Sequence, residues 1–565
     1  MVAAAANKLI RTRMLSLLIC AFLFMTNLPQ TEAGKTSVEV PQWAVFETQF
    51  TSKSKYANPL SDVDVVVTFR SPAAGERVAH AFWDGGNTWR VRFSPEEIGE
   101  WSYSTSSTPG DDAGLDNVGG TFRCVANKSQ EGLYQHGSVR VSSNRRYLTQ
   151  ADGTPFFWLS DTVWNGPLKA DGKSWETYVE DRKSKGFTVL QFVMTQWVAA
   201  GANAEGRLAY EDGQDITIDP TFYQRMDARI RTVNEKGLVA APVLIWDGPV
   251  GKLPMTLNPG LALNEDRITK LVRYMVVRYE AYQVIWILAG DGDYRDEKAE
   301  RWKRIARAGF GEHPSRVATM HPAGEQWVEE EFEGEPWFSF VGYQSGHGDS
   351  VSDFRWLSEG PPAKGWRGPN PHPIINLEPN YEGHMSYQGR KPFDAHAVRR
   401  AAYWSLLISP TAGVTYGAHG VWSWETVPAE PMNHAGTGIA HPWTEAMHLP
   451  GSMEMKYLKE FFGSFDWWKL SPAKEVLAVQ PGDADAAVFV AAARSSEKDW
   501  AVLYVPVGQT VQLRKGELPA HAVVRWFNPS TGQWAGAATA IPESGELAAP
   551  DGNDWAAWIG KDSSR

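Results

Sequence analysis

The pattern of hydrophobic and polar positions divides the chain into three stretches of different character. Between Val38 and Val125, apolar and polar residues alternate in short runs, such as Val63–Phe69 and Trp89–Phe93, with turn signals between them. Alternation with a period of two is typical of strands that have one buried face. This first stretch therefore predicts a small β-sandwich over residues 38–127.

After a linker near Lys128 to Asn144, strand-like apolar runs alternate with amphipathic helical stretches over about 300 residues, the signature of repeated βαβ units. The helical spacing is clearest at Ile268–Tyr279 and Ala395–Ile408. Eight strands are predicted: Phe156–Ser160, Phe187–Met194, Val239–Trp246, Val284–Leu288, Val317–Met320, Phe338–Gln344, Ile374–Leu377 and Gly413–Tyr416. Eight strand–helix units predict an α/β fold, a (β/α)8 TIM barrel over residues 140–462.

A doubly wound open sheet is the alternative for this middle stretch. Such a sheet normally has a glycine-rich phosphate loop after its first strand, and Leu159–Trp164 is not one, so the barrel is favoured. From about Phe465 the short-strand pattern returns at Val488–Ala491, Trp500–Val505 and Val523–Trp526. The barrel is thus predicted to be flanked by N- and C-terminal β-sandwiches, the second over residues 465–562.

The first 33 residues have the pattern of a secretory signal peptide. Lys8, Arg11 and Arg13 precede the apolar run Met14–Met25, and Thr31–Ala33 fits a cleavage site. The run of about a dozen residues is shorter than the roughly 20 that span a membrane, so an uncleaved anchor is the lesser alternative. We expect a secreted or periplasmic protein.

Cysteine usage fits export from a bacterium. Cys20 lies inside the predicted signal peptide, which leaves Cys124 as the one cysteine of the mature chain and no internal disulfide. The sequence has no zinc-type cysteine and histidine spacing, no Gly-x-Ser-x-Gly and no Walker loop. We therefore expect no metal and no cofactor.

Composition narrows the choice of partner. The formal net charge is −11 and no long basic run occurs, which disfavours nucleic acid. The chain carries 26 tryptophans in 565 residues, well above ordinary usage. Indole faces stack on the apolar faces of sugar rings, so this excess favours a polysaccharide or oligosaccharide ligand. For any single tryptophan, the alternative is that it fills a core.

Polar and aromatic residues follow the predicted barrel strands, where the active sites of such barrels lie. Asp291 follows strand four and Glu378 follows strand seven, on opposite sides of the barrel. Two carboxylates among indoles suit glycoside hydrolysis, in which one protonates the leaving oxygen and the other attacks or activates water. The predicted substrate-binding residues are Asp161, Trp164, Gln196, Trp197, Trp246, Asp247, His321, Tyr343, His419 and Trp422.

Each catalytic candidate has a neighbouring rival. The alternative for Asp291 is a helix cap or a turn, which would leave the role to Asp293, and the alternative for Glu378 is a structural carboxylate, with Glu382 in its place. Tyr343 is a candidate to stabilise a charged nucleophile.

Four separated motifs together resemble one family. Phe157–Trp164, Val284–Asp291, Ile375–Pro379 with Tyr381 and Glu382, and Thr415–Trp422 are similar to motifs of the apiosidase-like (DUF4038) glycoside hydrolases, the group around GH140. The first stretch resembles the DUF5060 module and the last resembles a collagen-binding-like β-sandwich. One departure is Ala289 before Gly290, where the family pattern suggests two glycines.

The resemblance implies a secreted hydrolase that cleaves a terminal glycosidic bond of a plant or algal polysaccharide, such as one that releases apiose. It assigns the acid/base to Asp291 and the nucleophile to Glu378, and analogy with related barrels favours retention. Two alternatives stay open. One is an endo-acting, glucanase-like enzyme with an open cleft, and the other is a non-catalytic carbohydrate-binding or adhesion protein.

Overall fold

The computed structural model describes residues 38–248, 257–311 and 314–561. The predicted signal peptide, residues 1–33, lies outside the described residues, so cleavage and export remain predictions. Among the described helices, none combines the length and the apolar character that a membrane span requires.

The N-terminal region is a sandwich of two sheets with an apolar core of its own. The five-stranded sheet has the spatial order Val38–Pro41, Gly119–Val125, Gly99–Thr108, Asp64–Arg70 and Glu76–His80. The three-stranded sheet has the order Phe46–Thr51, Thr88–Phe93 and Phe82–Trp83. Cys124 is buried in this core as a free thiol.

The middle region is a ring of eight parallel strands in chain order. They are β1 (Trp158–Thr162), β2 (Val189–Val193), β3 (Val239–Trp246), β4 (Trp286–Gly292), β5 (Ala318–Pro322), β6 (Val341–Gln344), β7 (Ile374–Glu378) and β8 (Gly413–Gly417). β1 pairs with β8 over its whole length, and the bridge between Ala318 and Phe338, just before β6, joins β5 to β6. The predicted TIM barrel is confirmed.

Helices cover the outside of the ring. They are α1 (Gly172–Ser184), α2 (Pro220–Glu235), α3 (Glu265–Tyr279), α4 (Glu297–Phe310), α5 (Glu329–Phe332), α6 (Val351–Glu359), α7 (Ala395–Leu407) and α8 (Pro450–Gly463). Further short helices are Gly132–His136, Gly166–Lys169, Pro259–Ala262, Pro361–Lys364 and Trp443–Ala446. A two-stranded hairpin, Tyr210–Asp212 with Ile216–Ile218, lies between β2 and α2.

Several strands end later than their apolar runs predict. β1 was expected over Phe156–Ser160, but Phe156 pairs with Leu148 in a small separate sheet and β1 extends to Thr162. β4 begins two residues later than predicted and extends to Gly292. Polar residues such as Asp291 therefore belong to the strands themselves, because backbone pairing continues beyond the apolar run.

The C-terminal region has a six-stranded sheet and a two-stranded sheet around its own core. The larger sheet has the order Leu470–Pro472, Ala491–Ser495, Trp500–Val505, Trp555–Lys561, Ala522–Asn528 and Gln533–Ala540, and Thr510–Gln512 pairs with Glu546–Ala548. The predicted strand Val488–Ala491 is wrong, because Ala486–Val488 forms a 3-10 turn and the strand starts at Ala491.

Buried charge networks join the barrel to both flanking regions. Asp227 of α2 accepts hydrogen bonds from Arg92 of the N-terminal sandwich (2.7 Å) and from Arg278 of α3 (2.7 Å). On the other side, Arg399 of α7 pairs with Asp554 (2.7 Å) of the C-terminal sandwich. Because buried charges are costly unless paired, these contacts fix the three regions against one another.

Candidate active site

A pocket opens at the carboxyl ends of the barrel strands. It contains both predicted catalytic carboxylates, Asp291 and Glu378, surrounded mainly by aromatic and imidazole rings. Its lining is Trp164, Trp197, Trp246, Asp291, Gln344, His347, Glu378, Tyr381, His384, Tyr387, Trp422, His434 and Thr437.

Two histidines hold Glu378 at the end of β7. His347 Nε2 lies 3.0 Å from Oε1 and His321 Nε2 lies 3.2 Å from Oε2. Burial alone would raise the pKa of Glu378, but the contacts from His321 and His347 outweigh it and hold the pKa well below its usual range. Glu378 is therefore ionised over the whole neutral and mildly acidic range.

Asp291 lies in an irregular part of β4. The pairing with β5 shifts register on both sides of Gly290, and Asp291 adopts φ 61°, a left-handed conformation that is uncommon outside glycine. A bulge of this kind re-aims a side chain, here into the pocket. Gly290 is required beside it, since a Cβ there would lie 2.7 Å from the Trp246 ring.

The environment of Asp291 favours its protonated form. Burial, followed by the negative charge of Glu378, raises the pKa of Asp291 to about 7. Gln344 Nε2 donates to Asp291 Oδ1 at 3.3 Å, and Gln344 is also the backbone neighbour of Glu378 across β6 and β7. The two carboxyl groups thus have pKa values pushed in opposite directions, which is how paired carboxyls divide into a general acid and an ionised partner.

Four indoles form the aromatic walls. Trp197 packs on Trp246 with centroids 4.4 Å apart, and Trp164 meets Trp246 edge-on at 5.4 Å. Trp422 Nε1 donates to His419 Nδ1 at 3.1 Å, and His419 Nε2 lies 3.0 Å from the Gly438 carbonyl. His419 therefore does not line the pocket but positions the Trp422 wall from behind.

Three other predicted binding residues point away from the pocket. Asp161 lies on the outer side of β1, where Tyr178 donates to it at 2.6 Å and Arg182 pairs with it. Gln196 binds the hairpin backbone at Ala209 and Tyr210. The Tyr343 ring packs towards Trp356 of α6, because neighbouring strand residues face opposite sides.

Asp247 is buried behind the pocket, beside Gly260 and Gly292. Burial raises its pKa to about 6, and it adds to the negative potential that acts on Asp291. Asp247 therefore acts on Asp291 through its charge and does not line the pocket.

The two rival carboxylates have structural partners. Asp293 pairs on the surface with Arg295 (2.8 Å) and Lys298 (2.9 Å). Glu382 accepts from Tyr416 Oη at 2.6 Å and from the Gly451 N–H, in the first turn of α8, at 3.0 Å. Neither carboxylate reaches the pocket.

The binding-residue prediction omitted several pocket residues. Gln344 follows Tyr343, and Tyr381, His384 and Tyr387 follow Glu378 within ten residues, so strand-end proximity could have identified them. His347 and His434 are brought in by loops and carry no such signal. In the described ranges no three histidine, cysteine, aspartate or glutamate residues are grouped to hold a metal ion.

A catalytic barrel with an aromatic-walled pocket around two carboxylates defines the class of a glycoside hydrolase. The family model described as "Apiosidase-like, catalytic domain" matches residues 142–469, and the chain belongs to this family. Residues 39–108 match "Domain of unknown function (DUF5060)", and residues 472–559 match "Putative collagen-binding domain of a collagenase".

Solved structures agree with this class. One described as a glycoside hydrolase is 25% identical with a TM-score of 0.65, over 76% of this chain and 98% of that chain. A glycoside hydrolase family 5 structure from Bacteroides vulgatus ATCC 8482 is 24% identical with a TM-score of 0.65, over 76% and 94%. A "putative glycoside hydrolase" from the same organism, 18% identical with a TM-score of 0.66, matches the fold over 93% and 99%. Comparison with curated proteins gave no match.

Proposed function

We propose that this glycoside hydrolase removes a terminal sugar from a plant or algal polysaccharide by a retaining mechanism, with Asp291 as acid/base and Glu378 as nucleophile. The observation that carries the proposal is that one pocket holds two carboxyl groups in opposite environments, Glu378 between two imidazoles and Asp291 buried beside the Gln344 amide. A group with a pKa near 7 can donate a proton at neutral pH, and a group held ionised can attack.

The proposed steps use only these two groups and water. Asp291 gives its proton to the glycosidic oxygen while a Glu378 oxygen bonds to the anomeric carbon, so that the leaving chain departs as an alcohol. Asp291 then takes a proton from water, whose oxygen displaces Glu378 and releases the sugar. His347 and His321 stabilise the carboxylate before attack and after release.

The shape of the pocket favours action at a chain end. Tyr387 and His384 from the segment after β7 line the same pocket as His434 and Thr437 from the segment after β8, an arrangement that suits a single sugar unit beside the carboxylates. An endo-acting enzyme would need a cleft that runs past the carboxylates. A terminal furanose such as apiose is the sugar that the family name suggests. We also expect the enzyme to be exported.

The test is the activity of the wild type, Asp291→Ala and Glu378→Ala on pectic, hemicellulosic and algal polysaccharides, with the released sugars separated by chromatography. We expect a monosaccharide from the wild type and a loss of at least about a hundredfold in both variants. The surface variant Asp293→Ala is the matched control and should keep full activity. Oligosaccharide products would replace the proposal with endo action, and binding without cleavage would replace it with a binding protein.

Retention is tested separately. The anomer formed first is observed by NMR during early turnover, before mutarotation. The anomeric configuration of the substrate supports Glu378 as nucleophile, whereas the opposite configuration would make Glu378 a base that activates water.

A further inference from the structure

We propose that the N-terminal sandwich carries a second carbohydrate-binding site, which holds a neutral sugar unit of the same polysaccharide that the barrel cleaves. The inference deepens the proposed function and rests on its polysaccharide substrate. The site is a groove of about 290 Å³ formed by the 52–59 loop and the hairpin turn at residues 83–89.

Aromatic rings form the apolar part of this groove. Trp83 and Tyr56 are both partly exposed, and Trp89 lies beneath them with its ring 6.4 Å from that of Tyr56. Trp83 Nε1 donates to the Gly86 carbonyl at 2.9 Å, which fixes the indole beside the turn. A partly exposed indole held in one orientation is a surface on which a sugar ring can stack without an ordering cost.

The polar part is also preformed. Asp112, which lies behind the loop, accepts hydrogen bonds from Ser52 Oγ (2.6 Å), Tyr56 Oη (3.1 Å) and the backbone N–H groups of Lys53 (2.9 Å) and Ser54 (3.2 Å). One buried carboxylate therefore sets the shape of the whole 52–56 loop. The loop then needs no reorganisation when a ligand enters.

The lining points to a neutral ligand. Among the lining residues Lys55 is the single charged group, and the uncharged polar groups of the lining include the Ser54 hydroxyl and the Asn87 amide. Hydroxyl and amide groups can donate and accept hydrogen bonds, as sugar hydroxyls require. An anionic polymer would call for more than one cation at this spacing.

The groove lies on the catalytic side of the barrel. Asn58, in the groove loop, donates to Asp215 Oδ2 at 2.8 Å, and Asp215 belongs to the turn of the hairpin between β2 and α2. Gln196, at the end of β2 beside the pocket wall, holds the same hairpin through the Tyr210 carbonyl at 3.0 Å. A Cβ at Gly85 would lie 3.6 Å from Pro220, so the hairpin turn lies beside the first residue of α2. Hydrogen bonds thus connect the groove loop to the hairpin after β2, on the side of the barrel where the pocket opens.

The test measures binding without cleavage. Asp291→Ala is run on native gels that contain pectin, arabinoxylan or laminarin, and its retardation is compared with that of the double variants that add Trp83→Ala or Asn87→Ala. Trp366→Ala, which removes a partly exposed indole of the barrel outside this groove, is the matched control. The Asn87 side chain is exposed, so its removal should leave the fold intact.

We expect at least one polysaccharide to retard Asp291→Ala, and Trp83→Ala to weaken that retardation about fivefold, the effect of one lost stacking contact. Asn87→Ala should weaken it in the same direction, and Trp366→Ala should leave it unchanged. Retardation that is absent, or that Trp83→Ala and Asn87→Ala leave intact, overturns the second site. If the wild type cleaves no polysaccharide but retardation still depends on Trp83, the proposed cleavage is overturned and the second binding site stands.

Discussion

His347 Nε2 lies 3.0 Å from Glu378 Oε1, while its other ring nitrogen, Nδ1, faces the backbone N–H of Tyr381 at 3.4 Å. A nitrogen that accepts from a backbone N–H carries no proton, so the neutral ring keeps its proton on Nε2 and donates it to Glu378. The backbone that follows β7 therefore selects the tautomer that stabilises the carboxylate of β7. β7 thus supplies the carboxylate, and the segment directly after it supplies the constraint on the imidazole partner.

Removal of His347 is expected to move the acid limb of the pH profile of kcat/KM to higher pH. In His347→Ala the pKa of Glu378 rises, because one of its two imidazole contacts is lost, and kcat/KM begins to fall at a higher pH than in the wild type. His347→Gln keeps an N–H donor and should restore part of the shift. His434→Ala, which changes the pocket wall without touching Glu378, should leave the acid limb in place.

The basic limb of the profile belongs to Asp291. The proton donor is active below its pKa of about 7, so kcat/KM should fall as the pH rises through that value. Gln344→Ala removes a hydrogen bond that favours the charged form of Asp291, so its pKa rises and the basic limb moves to higher pH. A limb that moves to lower pH in Gln344→Ala would contradict the assignment of the acid.

Asp291 should also lower the free energy of unfolding at neutral and alkaline pH. Its folded pKa of about 7 exceeds its usual value of about 3.8, so the contribution of Asp291 to stability is most favourable below 3.8 and is lost as the pH rises towards and through 7. Asp291→Asn removes this titration and should raise the melting temperature at pH 8 more than at pH 4.

The matched control for that measurement is Asp293→Asn. Arg295 and then Lys298 lower the pKa of Asp293 to about 2, so its contribution to stability is present above the ordinary aspartate pKa and is lost as the pH falls through 2. Asp293→Asn should therefore lower the melting temperature slightly at neutral pH, the opposite sign to Asp291→Asn. Equal signs for the two variants would contradict the environments described for them.

Asp227→Ala should weaken the attachment of the N-terminal sandwich. The substitution leaves the guanidinium groups of Arg92 and Arg278 buried without their shared carboxylate, which typically costs about 3–5 kcal/mol. Chemical denaturation should show this loss of unfolding free energy. Glu76→Ala, which breaks an exposed pair with Arg70, should cost less than about 1 kcal/mol.

The sequence predicts the barrel and the two carboxylates that share its pocket, but not which way every strand-end residue faces. Apolar runs and strand ends identify Asp291 and Glu378 because every strand of a parallel barrel delivers its last residues to one rim. Side chains alternate along a strand, so a shift of one residue reverses the face. That is why Gln344 lines the pocket while Tyr343 packs outwards against α6.

Loop residues are harder to predict for a different reason. His347 and His434 reach the pocket from irregular segments whose path depends on tertiary contacts, and no periodicity in the sequence reports that path. The bulge at Gly290 is similar, because the local run Ala289–Gly292 permits an irregular strand without specifying where its side chains point.

The barrel closes between β5 and β6, and the side-chain contacts to Asp291 and Glu378 also stabilise the ring at this seam. In the described residues, the strand pairing across this seam is the bridge between Ala318 and Phe338, and a backbone hydrogen bond from Glu325 to the Gln344 carbonyl (2.8 Å) joins the segment after β5 to the end of β6. His321 reaches from β5 to Glu378 on β7, and Gln344 reaches from β6 back to Asp291 on β4, so each crosses the seam in the opposite direction. The groups that set the protonation of the carboxylates thus also act as cross-braces of the ring, and a sugar that strengthens them on binding should slow amide hydrogen exchange along β5 and β6.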